Sequence, residues 1–590
     1  VKKPSSLYIA ILTVVFFISS AYGQNPSITA KTDLKSTKDA PSASKAGKTV
    51  TGETVEQDVA EALSVIEGNY INGKHLDYNE VFKSSIDSML HTLDPHSNYF
   101  DAKEFEQFRT DQSSRYYGIG ATIGDLSAPN GNVIATYIKA TFAGAPANRA
   151  GLKYGDKIVE VNGVNVLGKP FTDVRNMLRG PRGTMAKLVV ERLATGKRET
   201  VEIIRDAVPQ PSISEAYLIR PGVGYINMSG GFNQTTYAEF AMSGGFNQTT
   251  YAEFAEAMKT LKSQGMQQLI LDLRNNGGGL VGQAYRVANT FLSSGQTVFT
   301  QKGRLDGTAD AYRAENGNPD QTPIVMLVNR NTASASEILA GALQDHDRAL
   351  IVGENTFGKG LVQNPFLLDY GSMLLLTIAK YETPSGRLIQ RDYSDGNLYS
   401  YYTKGGVSAD DQEPDPPKGA ETKTDSGRSV YGGGGISPDV AIKPQTIPIE
   451  TARFEQKLAN PIFAFALDLS LGNVKGFETY KITKPISYDY DIKSTDFPMT
   501  PELFQTFKEY ASQKYKFTPA QIDKEKEFVE RVLRSEMVTA AYGSTTSFQV
   551  FNEFDDQLQR AIELLPQAKQ LALEGARSRA NAAKRDALNK

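Results

Sequence analysis

Ile324-Val-Met-Leu-Val328, the turn Asn329-Arg-Asn-Thr-Ala333, and Ser334-Ala-Ser-Glu-Ile-Leu-Ala-Gly-Ala-Leu-Gln-Asp345 form the stretch from which the fold is read. Five consecutive apolar residues with no polar alternation predict a strand covered on both faces, as in a parallel sheet. Ser334-x-x-Glu337 is a capping-box pattern, and Ile338, Leu339, Ala342 and Leu343 continue it with helical spacing. The stretch therefore reads strand, turn, helix. The same alternation extends both ways. Gly224–Asn227, Gln268–Leu273 and Ala349–Val352 read as strands, and helices are expected to Gln264, over Val281–Leu292 and over Ser334–Asp345. A largely parallel sheet clad in helices follows for an α/β core over 210–445.

Other regions have other periods. Residues 53–115 place Val59, Leu63, Ile66, Val81, Ile86, Met89 and Leu90 at three- and four-residue steps and read as an N-terminal helical domain. Residues 117–206 are β-rich: Val133–Ile138, Lys157–Asn162 and Ala186–Glu191 are strand-like, Asn162-Gly163 is a hairpin turn signal, and Phe171–Leu178 is a short helix. Residues 401–435 are polar and rich in Gly and Pro, as a loop is. Residues 446–590 read as a helical C-terminal domain, with a last helix from Asp555 to about Gly575 and a fraying end from Arg577 to Lys590. The class is multidomain α+β.

Lys2 and Lys3 precede an apolar run, Leu7–Ile18, and Ala21-Tyr-Gly23 offers small residues before Gln24. Residues 1–23 read as a secretory signal peptide, with an uncleaved anchor as the rival reading, and 24–52 as a disordered linker. Export to the periplasm or cell envelope is expected, with no stable membrane insertion once the signal is removed. Residues 228–241 (MSGGFNQTTYAEFA) recur unchanged at 242–255. The Gly-Gly pair in each copy interrupts a helix, so one copy is expected to bulge from the surface.

Composition removes whole classes of chemistry. There is no cysteine, which excludes disulfides, thiolate metal sites and a cysteine nucleophile. Lys plus Arg number 64 against 67 Asp plus Glu, a net charge of −3, so the basic excess of a nucleic-acid binder is absent. Only His75, His91, His96 and His346 could serve as histidine bases.

Ser334 lies where a strand turns into a helix, with the unpaired N–H groups of the first turn beside it. A nucleophile needs such donors to meet oxyanion charge, although an ordinary capping serine fits the same pattern. His346 lies at the far end of the same helix, about 18 Å away at 1.5 Å per residue, beyond reach. A desolvated lysine can replace histidine as the base. Lys359 in Thr356-Phe-Gly-Lys-Gly360 has glycines on both sides and apolar strands around it; a surface-loop lysine is the plainer alternative. Asp272-Leu-Arg-Asn-Asn-Gly-Gly-Gly279 follows a strand and could aim N–H groups at a carbonyl. It matches neither common phosphate-loop pattern.

Together, SASE with an Asp later on its helix, TFGKG followed by Gln, the LDLRNNGGG loop, Leu93-Asp-Pro-His-Ser97 and Gly435-Ile-Ser-Pro-Asp439 resemble the C-terminal processing peptidases, or tail-specific proteases. The resemblance covers roughly 53–445. It implies a crotonase- or Clp-protease-like catalytic core and a serine endopeptidase that needs no metal or cofactor. Ser334 would be its nucleophile, Lys359 its general base, and Gln363 the residue orienting the lysine. The N–H groups of Gly278 and Ala335 would form the oxyanion hole, and Asp345 on the same helix would have a supporting role. Residues 117–206 then resemble a PDZ domain, with Gly118, Ile119, Gly120 and Ala121 capturing a peptide's terminal carboxylate. The implied partners are protein substrates held by their C-terminal tails, with adaptor binding or self-association through the C-terminal helices. Two rivals remain: a non-catalytic PDZ scaffold, and an acyl-CoA enzyme on the crotonase-like fold, which the PDZ module and the lysine disfavour.

Overall fold

The computed structural model describes residues 50–112, 115–209, 211–228, 247–305, 310–394, 396, 401–402 and 419–588. The signal peptide, most of the 24–52 linker, residues 229–246 of the repeat, on which the expected excursion falls, and residues 403–418 of the polar loop lie outside them. Two compact units result, one ending at Asp77 and the other starting at Tyr78. In the first, the helix Gly52–Asn69 is capped by Thr51, whose hydroxyl accepts the Thr54 N–H. No helix among the described residues is long and apolar enough to cross a membrane.

The second unit is built around a six-stranded sheet. Its strands lie side by side in chain order: Glu215–Arg220, Val223–Asn227, Gln268–Asp272, Ile324–Val328, Ala349–Gly353 and Val440–Ala441. The first pair is antiparallel and every later pair parallel. Strand side chains alternate between faces, and the core divides accordingly. Ile324, Met326 and Val328 pack with Ile226, Leu271 and Ile351 under the helices Thr250–Ser263, Val281–Phe291 and Ala335–Asp345. Val325 and Leu327 face the other way, onto Tyr225, Ile270 and Val352. That second face is closed by Leu558, Ala561, Leu565, Ala568 and Leu571 from the helices Asp556–Glu563 and Leu565–Leu588. Each leucine buried this way contributes about 1.5–3 kcal/mol. These two helices thus complete the core around the six-stranded sheet. Its last helix also runs past the expected fraying point to Leu588, and Ser578 donates to the Asp425 carbonyl at 2.6 Å.

A second sheet, antiparallel, was not foreseen from the sequence. It joins Asn98–Phe100, Met373–Glu382, Thr297–Gly303 and Ala311–Arg313, with Leu361–Leu367 also paired to Met373–Glu382. Residues 98–100, within the stretch expected to be helical, are thereby stitched to the lysine-bearing region.

The β-rich module is a six-stranded antiparallel sheet with the helix Phe171–Leu178 laid beside it. Asn162 and Gly163 take φ of 52° and 80°, the left-handed pair a tight hairpin requires. Among the described residues, strand Ala121–Ser127 pairs with one strand only, Val133–Thr141, which leaves its other edge without a strand partner. The helical segment clasps this module. The Lys139 ammonium lies 3.2 Å from the centre of the Phe463 ring and 2.7 Å from Glu536 Oε1, while Tyr154 donates to Glu536 Oε2 at 2.9 Å.

Candidate active site

The turn after Ile324–Val328 carries three hydroxyls, and the fold treats them differently. Thr332 Oγ1 donates to the Leu273 carbonyl at 2.8 Å and accepts the Asn329 N–H at 3.0 Å, so it is committed to the turn. Ser336 is fully buried inside the helix. Ser334 is half-buried, at φ 56° and ψ −118°, a region L-residues rarely occupy. Such backbone costs on the order of 1–3 kcal/mol and persists only where neighbours enforce it. Here they do. The Ser334 carbonyl accepts the N–H groups of Glu337 and Ile338 at 2.8 and 3.0 Å and the Tyr381 hydroxyl at 3.0 Å.

Glu337 reaches beyond its cap. Its Oε2 accepts the Ser334 N–H at 2.8 Å and the Lys359 N–H at 2.9 Å. Its Oε1 accepts the Gly358 N–H at 2.7 Å and the Thr356 hydroxyl at 2.5 Å. One fully buried carboxylate therefore binds the serine turn to the lysine loop. Burial pushes its pKa up, against the lowering effect of these four donors. The capping pattern is visible in the sequence; the three contacts about twenty residues on are not.

Lys359 keeps some surface as a residue, yet loss of water around its amine dominates and lowers the pKa to about 8, against the raising influence of Asp94 and Glu337. The loop that carries it is held from its other side as well: Gly360 N–H donates to Gln390 Oε1 at 2.8 Å and Arg391 N–H to the Gly358 carbonyl at 2.9 Å. Asp94 belongs to the Leu93–Ser97 turn, whose role sequence reasoning left unassigned. It accepts the N–H groups of His96 and Ser97 at 2.8 and 2.9 Å and the Thr377 hydroxyl at 3.1 Å. Gln363 Nε2 donates to that same Thr377 hydroxyl at 3.2 Å, so it reaches the lysine's surroundings through Thr377 and Asp94. His96 sits beside them, bonded to the Tyr401 hydroxyl at 2.7 Å; burial and the charges of Lys359 and Arg391 drive its pKa far down.

The glycine loop packs directly on the serine. A Cβ placed on Gly278 would lie 2.8 Å from Ser334 Cβ and 2.9 Å from the Ala335 nitrogen. Asn275 and Asn329 exchange hydrogen bonds of 2.9 Å that lock the two turns together. The Ala335 N–H, first in its helix, makes no hydrogen bond among the described residues. The Gly278 N–H donates to Asn276 Oδ1 at 3.0 Å. Asp345 lies at the opposite end of the helix, where it pairs with buried Arg387 and accepts the Ser385 N–H at 2.9 Å.

In the β-rich module, Gly118, Ile119, Gly120 and Ala121 line a cavity of about 90 Å³ beside the helix Phe171–Leu178. The Ile119 and Gly120 carbonyls accept the Ala147 and Phe142 N–H groups at 2.7 and 3.1 Å, while their own N–H groups make no hydrogen bond among the described residues. Gly120, at φ +73°, admits no side chain: a Cβ would sit 2.4 Å from that of Ala145.

Comparison with known proteins gives this geometry a context. Residues 222–396 match the model of peptidase family S41, and 138–192 match a PDZ domain. The carboxy-terminal-processing protease of Bartonella bacilliformis is 33% identical over 315 residues, which cover 53% of this chain and 68% of that protein. The chain belongs to peptidase family S41. A second S41-type relative, the carboxy-terminal processing protease CtpA of Bacillus subtilis, is 31% identical over 342 residues, 58% of this chain and 68% of its own. Among solved structures, a photosystem II D1 C-terminal processing protease aligns at 27% identity over 68% of this chain and 95% of that one, with a TM-score of 0.32. As an S41 member the protein is a serine-type peptidase, and the matched segment contains both Ser334 and Lys359.

Proposed function

We propose that this chain is an exported endopeptidase that cuts proteins near their C-termini, with Ser334 as nucleophile and Lys359 as general base. The observation that carries it is the Glu337 carboxylate, which binds the backbone of both residues, beside an amine whose pKa of about 8 leaves a useful neutral fraction at ordinary pH. Neutral Lys359 takes the Ser334 hydroxyl proton as Oγ attacks the peptide carbonyl carbon. The oxyanion is met by the Ala335 N–H, and by the Gly278 N–H once it leaves Asn276. Collapse breaks the C–N bond, and the lysine ammonium returns the proton to the departing amine. Water, deprotonated by Lys359, then attacks the ester, and the proton passes back to Ser334 as the acid leaves.

Gln363 orients Lys359 through Thr377 and Asp94, and Asp345 braces the loop from behind. The PDZ groove at Gly118–Ala121 holds the tail of the substrate, which enters as an added strand on the open edge Ala121–Ser127. The leader pattern of residues 2–23 supports export to the periplasm or cell envelope.

Incubation of the full chain with a reporter protein ending in an unstructured tail tests this. Ser334→Ala and Lys359→Ala are each expected to abolish cleavage while preserving the circular dichroism spectrum. Full cleavage by either variant would remove the mechanism, and a wild-type chain that binds tails without ever cleaving them would leave a scaffold.

A further inference from the structure

The groove assigned above to the substrate's tail carries a charge that capture of a terminal carboxylate does not use. Its apolar wall includes Ile119, Phe142, Phe171 and Leu178; among the described residues the charged ones that line it are Arg175 and Arg179, with no acidic side chain. Arg175 lies on the helix Phe171–Leu178, one turn from each end residue that helps form the cavity. It is half-buried, and its Nε is buried with no hydrogen-bond partner among the described residues. The part of Arg175 that lines the groove is partly withdrawn from water, where a charge-assisted bond to a carboxylate is stronger than at a fully hydrated surface.

The register of an added strand says where that carboxylate sits. The free N–H groups of Ile119 and Gly120 take the terminal carboxylate, which fixes the last residue at the small apolar cavity. Side chains in a strand alternate, so the third residue from the end points the same way as the last, toward the helix that bears Arg175. The second from the end points away.

We infer that Arg175 selects tails with Asp or Glu third from the C-terminus, followed by a small or medium apolar last residue. This rests on the tail-capture reading of the PDZ groove and deepens it. Arg175 is a specificity residue for substrate choice, acting far from the peptide bond that is cut.

Fluorescence anisotropy on the full-length Ser334→Ala chain tests it, with N-terminally labelled decapeptides ending in Glu-Ser-Val, Gln-Ser-Val or Lys-Ser-Val. The Glu peptide is expected to bind at least about fivefold more tightly than the Lys peptide at low salt, the size of one partly screened charge pair. Arg175→Gln should bring that ratio to about one, whereas Arg175→Lys should keep its direction. Equal binding of the Glu and Lys peptides, or a ratio that survives Arg175→Gln, would overturn the inference alone. C-terminal amidation separates the underlying reading: if amidated peptides bind as well as free acids, or none binds, tail capture itself fails and the inference with it.

Discussion

The backbone N–H groups of Ser334 and Lys359 donate to one and the same oxygen, Oε2 of Glu337, at 2.8 and 2.9 Å. The two nitrogens therefore lie no farther apart than those bonds laid end to end, although twenty-four residues separate them in the chain. Glu337→Ala would orphan four buried donors, at about 1–3 kcal/mol each before relaxation. We expect a marked fall in thermal stability and a loss of kcat of about a hundredfold, the size that follows from small misplacement of reacting groups. Glu337→Gln, which keeps one acceptor oxygen, should lose less of both. Steady-state kinetics with thermal melts of the two variants checks this.

The rate should report the lysine. With its pKa lowered to about 8, Lys359 is mostly protonated at pH 7 and mostly neutral above pH 9, so kcat/KM should rise with pH around a midpoint near 8. Asp94 raises that pKa by its charge. Asp94→Asn retains an acceptor for the turn but loses the charge, so the midpoint should move to lower pH. A midpoint that moves upward would contradict the assigned influence.

Gly278 has no room to change. A Cβ there would stand 2.7 Å from the Ala333 carbonyl oxygen as well as against Ser334 and Ala335, at a φ of +98°. Gly278→Ala should abolish turnover by displacing the oxyanion donors, with the affinity for the tail little altered because the PDZ groove is separate. Turnover and peptide-binding assays on the same preparation distinguish the two effects.

Glu215 offers a test of the frame behind the glycine loop. Burial, with a smaller contribution from Asp272, raises its pKa to about 8, while Asn552 and Asn227 partly offset this. The folded protein holds a proton there that the unfolded chain releases above its ordinary value of 4.5. Stability contributed by this group is therefore full below that value and is lost as pH rises toward about 8. Glu215→Gln should flatten that decline, as read from denaturant midpoints across the range.

How much of this was legible in the sequence follows from the range of each contact. Ile324–Val328 and the helix Phe171–Leu178 are encoded by local periodicity, and the structure has both at the bounds read from the sequence. Ser334 stands out through its junction, and Lys359 through its glycines. What periodicity does not carry is pairing at a distance. Thr377 meets Asp94 across 283 positions, and Phe100 pairs with Met373 in a sheet whose strands alternate imperfectly. The apolar stripe of Leu558, Ala561 and Leu565 identifies a helix but not the sheet face it covers. Glu337 is legible as a cap and illegible as a clamp, because its donors on the lysine loop are two backbone N–H groups and one threonine hydroxyl some twenty residues away, which no local pattern marks.

The most direct measurement is the rate and position of labelling by a peptidyl aryl phosphonate, followed by tandem mass spectrometry of the full chain. One adduct on Ser334 is expected, forming faster as pH rises around 8 and falling by at least about a hundredfold in Lys359→Ala, in keeping with the contribution of a positioned general base. An adduct on another residue, or labelling of Ser334 at an undiminished rate without Lys359, would contradict the Ser–Lys account.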